Sequence, residues 1–569
     1  MLLFITLLAL ASISSAKPFL EQTSDGNWNY GNDVWNATQR KSSRTDKLWY
    51  KNKELIGRSV GHYYSSSVAG NNFTITSAHK TQEGDLDGVP YLDFYFESQA
   101  GEQHWVIFEG QHGAYQYFVT TGMINPGEFR SLWRLDNRTF THGHNSVRDK
   151  ALPSLEDHLT GEFVFDSTYK RPDGTYITKY DFADFIHNFD YYGVYGEGFG
   201  SWYIHAGKDY FNGDHLRQEL TVHREVNTGD VVQLNMLHGV HFFGPRNITL
   251  LERKLYGPWL WYLNSGSSTD AAKIATQGKA NWPYSWLEND SYHSRGTLKG
   301  RLVLSDGRSA SKAAVFLGDD SATLSTLRQG RAYYYNFYTD DDGYFEVGNI
   351  RSGTYGLVAW SNGSSIADVG TNYTTYGVKI GADETTDLGS LNWEVSNRTT
   401  IFRLGDFDRT TYGFKFGGAP REYGLTELCP AELVYEVGTS TATDWCYAQT
   451  KKGNWTIKFP IQEQSSAKEV KLILSLAAYS QGGNFHILVN DNQIATINSS
   501  TLSNDGALYR SCTVAGEWRY LEYAVDASVL RVGDTNTVTI WLYDNTGKNS
   551  ETMGTTQRGP MYDAIALEW

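Results

Sequence analysis

Apolar and polar residues alternate along most of the chain in short runs, separated by clusters of Gly, Asn, Asp and Ser. Lys471-Leu472-Ile473-Leu474-Ser475-Leu476, Phe485-His486-Ile487-Leu488-Val489 and Thr537-Val538-Thr539-Ile540-Trp541-Leu542-Tyr543 are typical. A period of two marks strands with one buried face, and turn residues at this spacing mark sandwiches or barrels. Helical periodicity is scarce. Its best instance follows Ser267-Ser268-Thr269, runs from Asp270 through Ala271, Ala272, Ile274 and Ala275, and is closed by Asn281 and Pro283. The pattern predicts an all-β protein.

The pattern changes near residue 296. Leu302-Val303-Leu304, Ala314-Val315-Phe316-Leu317, the turn Asp340-Asp341-Asp342-Gly343, Tyr344-Phe345-Glu346-Val347 and Gly356-Leu357-Val358-Ala359-Trp360 predict a small sandwich over 298–391. The strands of 392–569 fit a jelly roll. The Asp-rich turn lacks the full loop and distal Glu of a calcium hand, so it reads first as a turn, with structural calcium left open.

Composition narrows the class. The 569 residues include 49 basic and 64 acidic side chains, a net charge of −15, and 14% are aromatic. A chain this aromatic and this weakly charged buries cores rather than staying disordered. The acidic balance argues against nucleic acid as a partner, since phosphate tracking needs clustered Lys and Arg. Three cysteines build no disulfide scaffold. Residues 1–16 read as a signal peptide, with an apolar run from Leu2 to Ile13 too short to span a bilayer before Ser14-Ser15-Ala16. No later apolar stretch is long enough for a membrane span. Ten Asn-X-Ser/Thr sites, at Asn36, Asn72, Asn137, Asn247, Asn289, Asn362, Asn372, Asn397, Asn454 and Asn498, fit an exported, extracellular protein. Oxidising surroundings allow one bridge, and Cys429 with Cys446 closes the shortest loop; Cys512 then remains a buried thiol.

Residues 127–225 hold the chemistry. Gly127-Glu128-Phe129-Arg130-Ser131-Leu132-Trp133-Arg134 places two guanidiniums on one face of a strand, where they can grip a carboxylate. The bland reading pairs them with Glu128 and Asp136 at the surface. In Thr175-Tyr176-Ile177-Thr178-Lys179-Tyr180-Asp181-Phe182, alternation sets Lys179 on the face of Ile177 and Asp181. An aromatic setting lowers a lysine's proton affinity and makes it a base, although most such lysines only snorkel. Gly200-Ser201-Trp202-Tyr203-Ile204-His205, then Tyr210 to His223, combine three histidines, Arg217 and stacking aromatics such as Tyr203 and Tyr210. The histidines lack metal-ligand spacing, so no metal is expected.

These segments resemble, in order, the rhamnogalacturonan lyases of polysaccharide lyase family 4. Gly127-Glu128-Phe129-Arg130 through Arg134 is similar to the family's Gly-Glu-hydrophobic-Arg-x3-Arg. Thr178-Lys179-Tyr180 falls where the family carries its catalytic lysine, and Leu216-Arg217-Gln218-Glu219-Leu220-Thr221-Val222-His223 is close to the plant-like Leu-Lys-Gln-Asp-Leu-Thr-Ser-His. Tyr256-Gly257-Pro258, Trp282-Pro283-Tyr284 and Arg295-Gly296 resemble the exit from the catalytic domain. Asp342-Gly343-Tyr344-Phe345 resembles the middle domain, and Phe402 to Asp408 with Met561-Tyr562-Asp563-Ala564-Ile565 resembles the borders of the last. The resemblance implies a galactose-mutarotase-like catalytic β-sandwich (17–297), a fibronectin-type-III-like sandwich (298–391) and a carbohydrate-binding-like jelly roll (392–569). It also implies β-elimination on the rhamnose–galacturonate backbone of rhamnogalacturonan I by a monomer that needs no cofactor. Lys179 becomes the base; Arg130, Arg134, Tyr203, Tyr210 and Arg217 become the substrate contacts. The fungal histidine follows Gly-Gly-Pro-Phe. Here the corresponding stretch is Asn212-Gly213-Asp214 and Arg217 stands at the histidine's place, so His215 is the first choice of acid and His223 the second, while His205 is available to orient Tyr203. Two other classes remain: a non-catalytic pectin-binding protein, and a glycoside hydrolase using carboxylates from Glu128, Glu197, Glu219 or Glu225.

Overall fold

The computed structural model describes residues 17–569 except 43, 69, 124–125, 240, 244–247, 324–329, 463–467, 481 and 546–556. The expected leader, 1–16, and the sequon at Asn247 lie outside the described residues. The chain is all-β and forms three sandwiches in series.

Two nine-stranded antiparallel sheets make the first sandwich. One contains, side by side, Arg44–Tyr50, Gly61–Ser65, Phe129–Leu135, Val231–His238 and Val222–Arg224. The other centres on Phe199–Ile204, Glu252–Asn264, Gly113–Thr121 and Gly101–Phe108. Their facing sides bury Trp35, Trp105, Trp133, Trp259 and Trp261. The rings meet edge-on or stacked, with Trp133 and Trp261 centroids 4.5 Å apart. Such contacts add to the large apolar area each indole removes from water. The predicted helix is Ser268–Ala280, capped by the Ser267 side chain on the Asp270 amide. It buries Ala271 and Ala275 against Trp202, Ile204 and Leu260 on the outer side of the second sheet.

The middle sandwich pairs Arg295–Leu304 with Tyr344–Arg351 and Thr385–Trp393, facing a four-stranded sheet that includes Ala314–Asp319 and Gly353–Trp360. The last places Thr400–Gly405, Gly559–Glu568, Glu469–Ser480 and Arg519–Asp526 against a five-stranded sheet built on Gly453–Pro460 and Thr535–Asp544. Cys429 and Cys446 are disulfide-bonded, and Cys512 is a buried free thiol.

The first two sandwiches are joined by a buried ion-pair triad. Asp209 accepts from Arg351 Nε at 2.9 Å and Arg295 Nη1 at 3.2 Å. Arg351 lies 3.9 Å over the Tyr333 ring, which covers it. Burial works against the Asp209 charge, but Arg351 and Arg295 outweigh it and hold its pKa below the usual value. Deleting the carboxylate strands two guanidiniums without water, a loss of about 3–5 kcal/mol. Asp209→Ala is therefore expected to lower the unfolding temperature markedly in a thermal scan; an unchanged transition would contradict this role.

Candidate active site

Strand Phe129–Leu135 alternates as predicted. Phe129, Ser131, Trp133 and Leu135 face the core, and Arg130, Leu132 and Arg134 face outward. Leu132 is buried with Leu220, Val232 and Leu234, leaving the two guanidiniums on either side of an apolar patch. Arg130 Nε donates to Ser65 Oγ at 3.0 Å and its Nη1 to Glu128 at 3.2 Å. Arg134 donates to the Tyr63 hydroxyl at 3.0 Å and pairs with Glu225 at 3.1 Å and Asp230 at 3.5 Å. The surface pairing with Glu128 is thus present, whereas Asp136 is taken by Arg138.

His223 joins this face through register. Both Arg134 and His223 pair with Val232, from opposite sides of strand Val231–His238, so the two side chains sit in one row. The His223 Nε2 lies 3.9 Å from Glu225, too far for a hydrogen bond but close enough for a strong electrostatic contact. That ring, with Arg134 and Lys179 behind it, holds the Glu225 carboxyl down at about 2. Burial pushes His223 down to about 4, so its ring is neutral in the free protein near pH 7.

Lys179 does not sit in a strand. Strand Tyr176–Thr178 ends one residue earlier, and Lys179–Phe182 forms a 3-10 turn capped by the Thr178 hydroxyl on the Tyr180 amide. The turn breaks the alternation that would have set Lys179 beside Asp181. Its neighbour is instead Asp166, in the hairpin turn Asp166-Ser167, where both residues have positive φ. The Lys179 Nζ is 3.9 Å from Asp166 Oδ1 and 5.1 Å from the Tyr180 ring centre. Burial lowers the lysine's pKa against the pull of Asp166, and Arg510 from the last sandwich lowers it further. Glu128 and Glu225, the partners of Arg130 and Arg134, also pull on this amine.

The remaining expected residues lie elsewhere. Tyr203 and Tyr210 are fully buried, at 0% exposure, and offer no stacking surface to a sugar, because both fill the space between the sheets. His205 bonds the Tyr210 hydroxyl at 2.8 Å rather than orienting Tyr203. Arg217 is also buried, paired with Glu219 and stacked 4.6 Å over Phe243, so it serves the core. His215 bonds the Phe337 carbonyl at 2.9 Å and packs on Tyr338 and Trp360 of the middle sandwich. It lines a cavity of about 520 Å³ where all three sandwiches meet, with His187, Tyr412 and Arg421, and no residue of the Arg130–Lys179 group lines that cavity. By contrast, Arg130, Arg134 and Lys179 expose 28%, 20% and 25% of their side chains. They are reachable; His215 is not beside them. Among the described residues no cluster of His, Cys, Asp and Glu could hold a metal ion.

Sequence reasoning missed Asp166, His241 and Arg510. A turn signal at Asp166-Ser167 was legible. His241 bridges Glu219 at 2.5 Å and Glu128 at 3.4 Å, and only the fold shows it.

Three sandwiches in series, the first carrying a cationic face, define a multimodular all-β protein, and comparison with known sequences gives its kin. A family model described as polysaccharide lyase family 4, domain III, matches residues 400–567, and one for domain II of the same family matches 305–388. The rhamnogalacturonate lyase of Dickeya dadantii is 31% identical over 494 residues, covering 83% of this chain and 80% of that protein. A probable rhamnogalacturonate lyase B of Aspergillus niger is 24% identical over 554 residues, covering 82% and 77%. The chain belongs to polysaccharide lyase family 4.

Five buried histidines generate a pH dependence. Burial pushes His62, His205 and His215 down to about 3, and His223 and His238 to about 4. Each folded pKa lies below the ordinary 6.5, so the unfolded chain binds the extra protons as pH falls. The stability these neutral rings contribute is then complete above about pH 6.5 and lost progressively toward about pH 3. Thermal scans should show the unfolding temperature falling over that window, less steeply in His223→Gln; a flat profile would contradict the neutral buried rings.

Proposed function

We propose that this protein is a secreted rhamnogalacturonan endolyase, cleaving the rhamnose–galacturonate backbone of rhamnogalacturonan I by β-elimination. The reading is carried by one observation: Arg130, Arg134 and His223 share one face of a sheet, and Lys179 feels the carboxylates that pair with both arginines. The relatives' names supply the polymer. The residue types fit the reaction it undergoes.

The C5 proton of galacturonate becomes removable only when the adjacent carboxylate is held by fixed positive charge, which Arg130 or Arg134 supplies. Lys179 takes that proton, helped by the desolvation that lowers its own proton affinity. His223 delivers a proton to the departing O4, and the C4–O4 bond breaks as the C4=C5 double bond forms. The negative charge of the bound uronates raises the proton affinity of His223 above its free value. In this reading His223, which lies in the row of Arg134, takes the acid's place ahead of His215, which bonds the middle sandwich. Hydrolysis with paired carboxylates would need a carboxylic acid that stays protonated. Glu225, at about 2, is ionised throughout the working range.

The same reading makes the protein an exported glycoprotein, acting as a monomer on cell-wall pectin without a required cofactor. The Cys429–Cys446 bridge supports an oxidising compartment.

On rhamnogalacturonan the protein should release products with the ultraviolet band of an unsaturated uronate. Lys179→Ala and His223→Ala should each lose about 10²-fold or more in kcat, and His215→Gln should stay within a few-fold of wild type. The rising limb of kcat/KM with pH should report Lys179 losing its proton, below the ordinary lysine value. New reducing ends without the band would mean hydrolysis. Binding without cleavage would mean a carbohydrate-binding protein with a degenerate site.

A further inference from the structure

The last sandwich reaches Asp166, the neighbour of Lys179, through Arg510, with Tyr509 packed beside it on Phe165. The short 3-10 turn Leu508–Arg510 lies against the first sandwich. The Arg510 guanidinium donates to Asp166 Oδ2 through Nε at 2.9 Å and Nη2 at 2.8 Å, and through Nη1 to the His241 carbonyl. It is stacked 4.6 Å from the Tyr180 ring centre and 5.0 Å from that of Tyr509. Tyr180 itself donates to the same Oδ2 at 2.9 Å. Three donors therefore converge on one oxygen of Asp166, while Lys179 faces the other at 3.9 Å, outside hydrogen-bond range.

A half-buried lysine beside a mobile carboxylate would close to a direct ion pair and keep its proton. Here the three donors hold Oδ2 and so fix the carboxylate in place, with Oδ1 set 3.9 Å from the amine. We propose that Arg510 is a positioning residue for the reaction: by anchoring Asp166 across the domain boundary it holds Lys179 near a counter-charge without letting the two close into a tight ion pair. The inference rests on the assignment of Lys179 as the base. It makes the C-terminal sandwich part of the catalytic machinery, since the turn at Leu508–Arg510 belongs to that sandwich and Asp166 to the first.

The charges facing Lys179 are Asp166 from its own lobe, Arg510 from the last sandwich, Glu128 and Glu225 from the neighbouring sheet, and His223 beside Glu225. Removing Arg510 deletes a cation and frees Asp166, and both changes favour the protonated amine. Removing the Asp166 charge favours the neutral amine. The two substitutions thus act in opposite directions, although each breaks the same ion pair. A purely structural role would make them act alike.

The test uses the full-length protein with folding checked by thermal scan. Its amines are reductively methylated with ¹³C-formaldehyde, and the Lys179 resonance, assigned by its loss in Lys179→Ala, is titrated by NMR. Arg510→Gln should move the Lys179 titration to higher pH by about one unit, and Asp166→Asn should move it to lower pH. The rising limb of kcat/KM should follow in the same two directions, and Arg510→Lys should recover part of the shift. Unmoved Lys179 titration in both variants, or shifts in the same direction, overturns the proposal. Opposite shifts in the titration with an unmoved kcat/KM profile uphold the Arg510–Asp166–Lys179 arrangement and overturn Lys179 as the base.

Discussion

Strand Phe129–Leu135 has two faces that must satisfy opposite demands, and the rest of the molecule is arranged around that constraint. One face drives Trp133 into the aromatic core against Trp261. The other lifts Arg130 and Arg134 toward solvent from a row flanked by His223. Strand geometry couples the two: a slip of one residue would bury the guanidiniums and expose the indole. The tight aromatic packing of the sandwich interior therefore fixes the register of the charged face. Rigidity in the core becomes accuracy at the surface.

Fixed charge on that face has to be balanced before any ligand arrives. Arg134 rests on Glu225 and Asp230, Arg130 on Glu128, and Lys179 loosely on Asp166. None of the three cations is deeply buried, so each can exchange part of its protein partner for an anionic ligand. The net charge of −15 describes solubility rather than this site. What a ligand meets there is the local field of these few cations.

How much of this could be read from the residues follows from what each inference needed. Period-two alternation located the strands, and Ser267 located the helix, because both signals are local. Arg130 and Arg134 sharing a face is likewise a property of one strand. Lys179 was identified by type and motif, but its setting was misread, since a capped 3-10 turn replaces the expected strand after Thr178. His215 seemed the better acid by position in the motif; tertiary packing ties it to the middle sandwich instead, and cross-strand register brings His223 to the arginines. Tyr203 and Tyr210 show why aromatic content is a poor guide to sugar contacts: the same rings suit a core equally well. Arg510 had no local signal, because its partner Asp166 is 344 positions away in the chain.

The central claim is that one cationic face, and not the cavity around His215, receives the uronate. It is tested most directly by a crystal structure of Lys179→Ala with a rhamnogalacturonan oligosaccharide. The account predicts a galacturonate carboxylate on Arg130 or Arg134, its C5 turned toward the space vacated by the lysine, and O4 within hydrogen-bond reach of His223. An oligosaccharide seated in the three-sandwich cavity, with Arg130 and Arg134 still paired only to their own carboxylates, would contradict it.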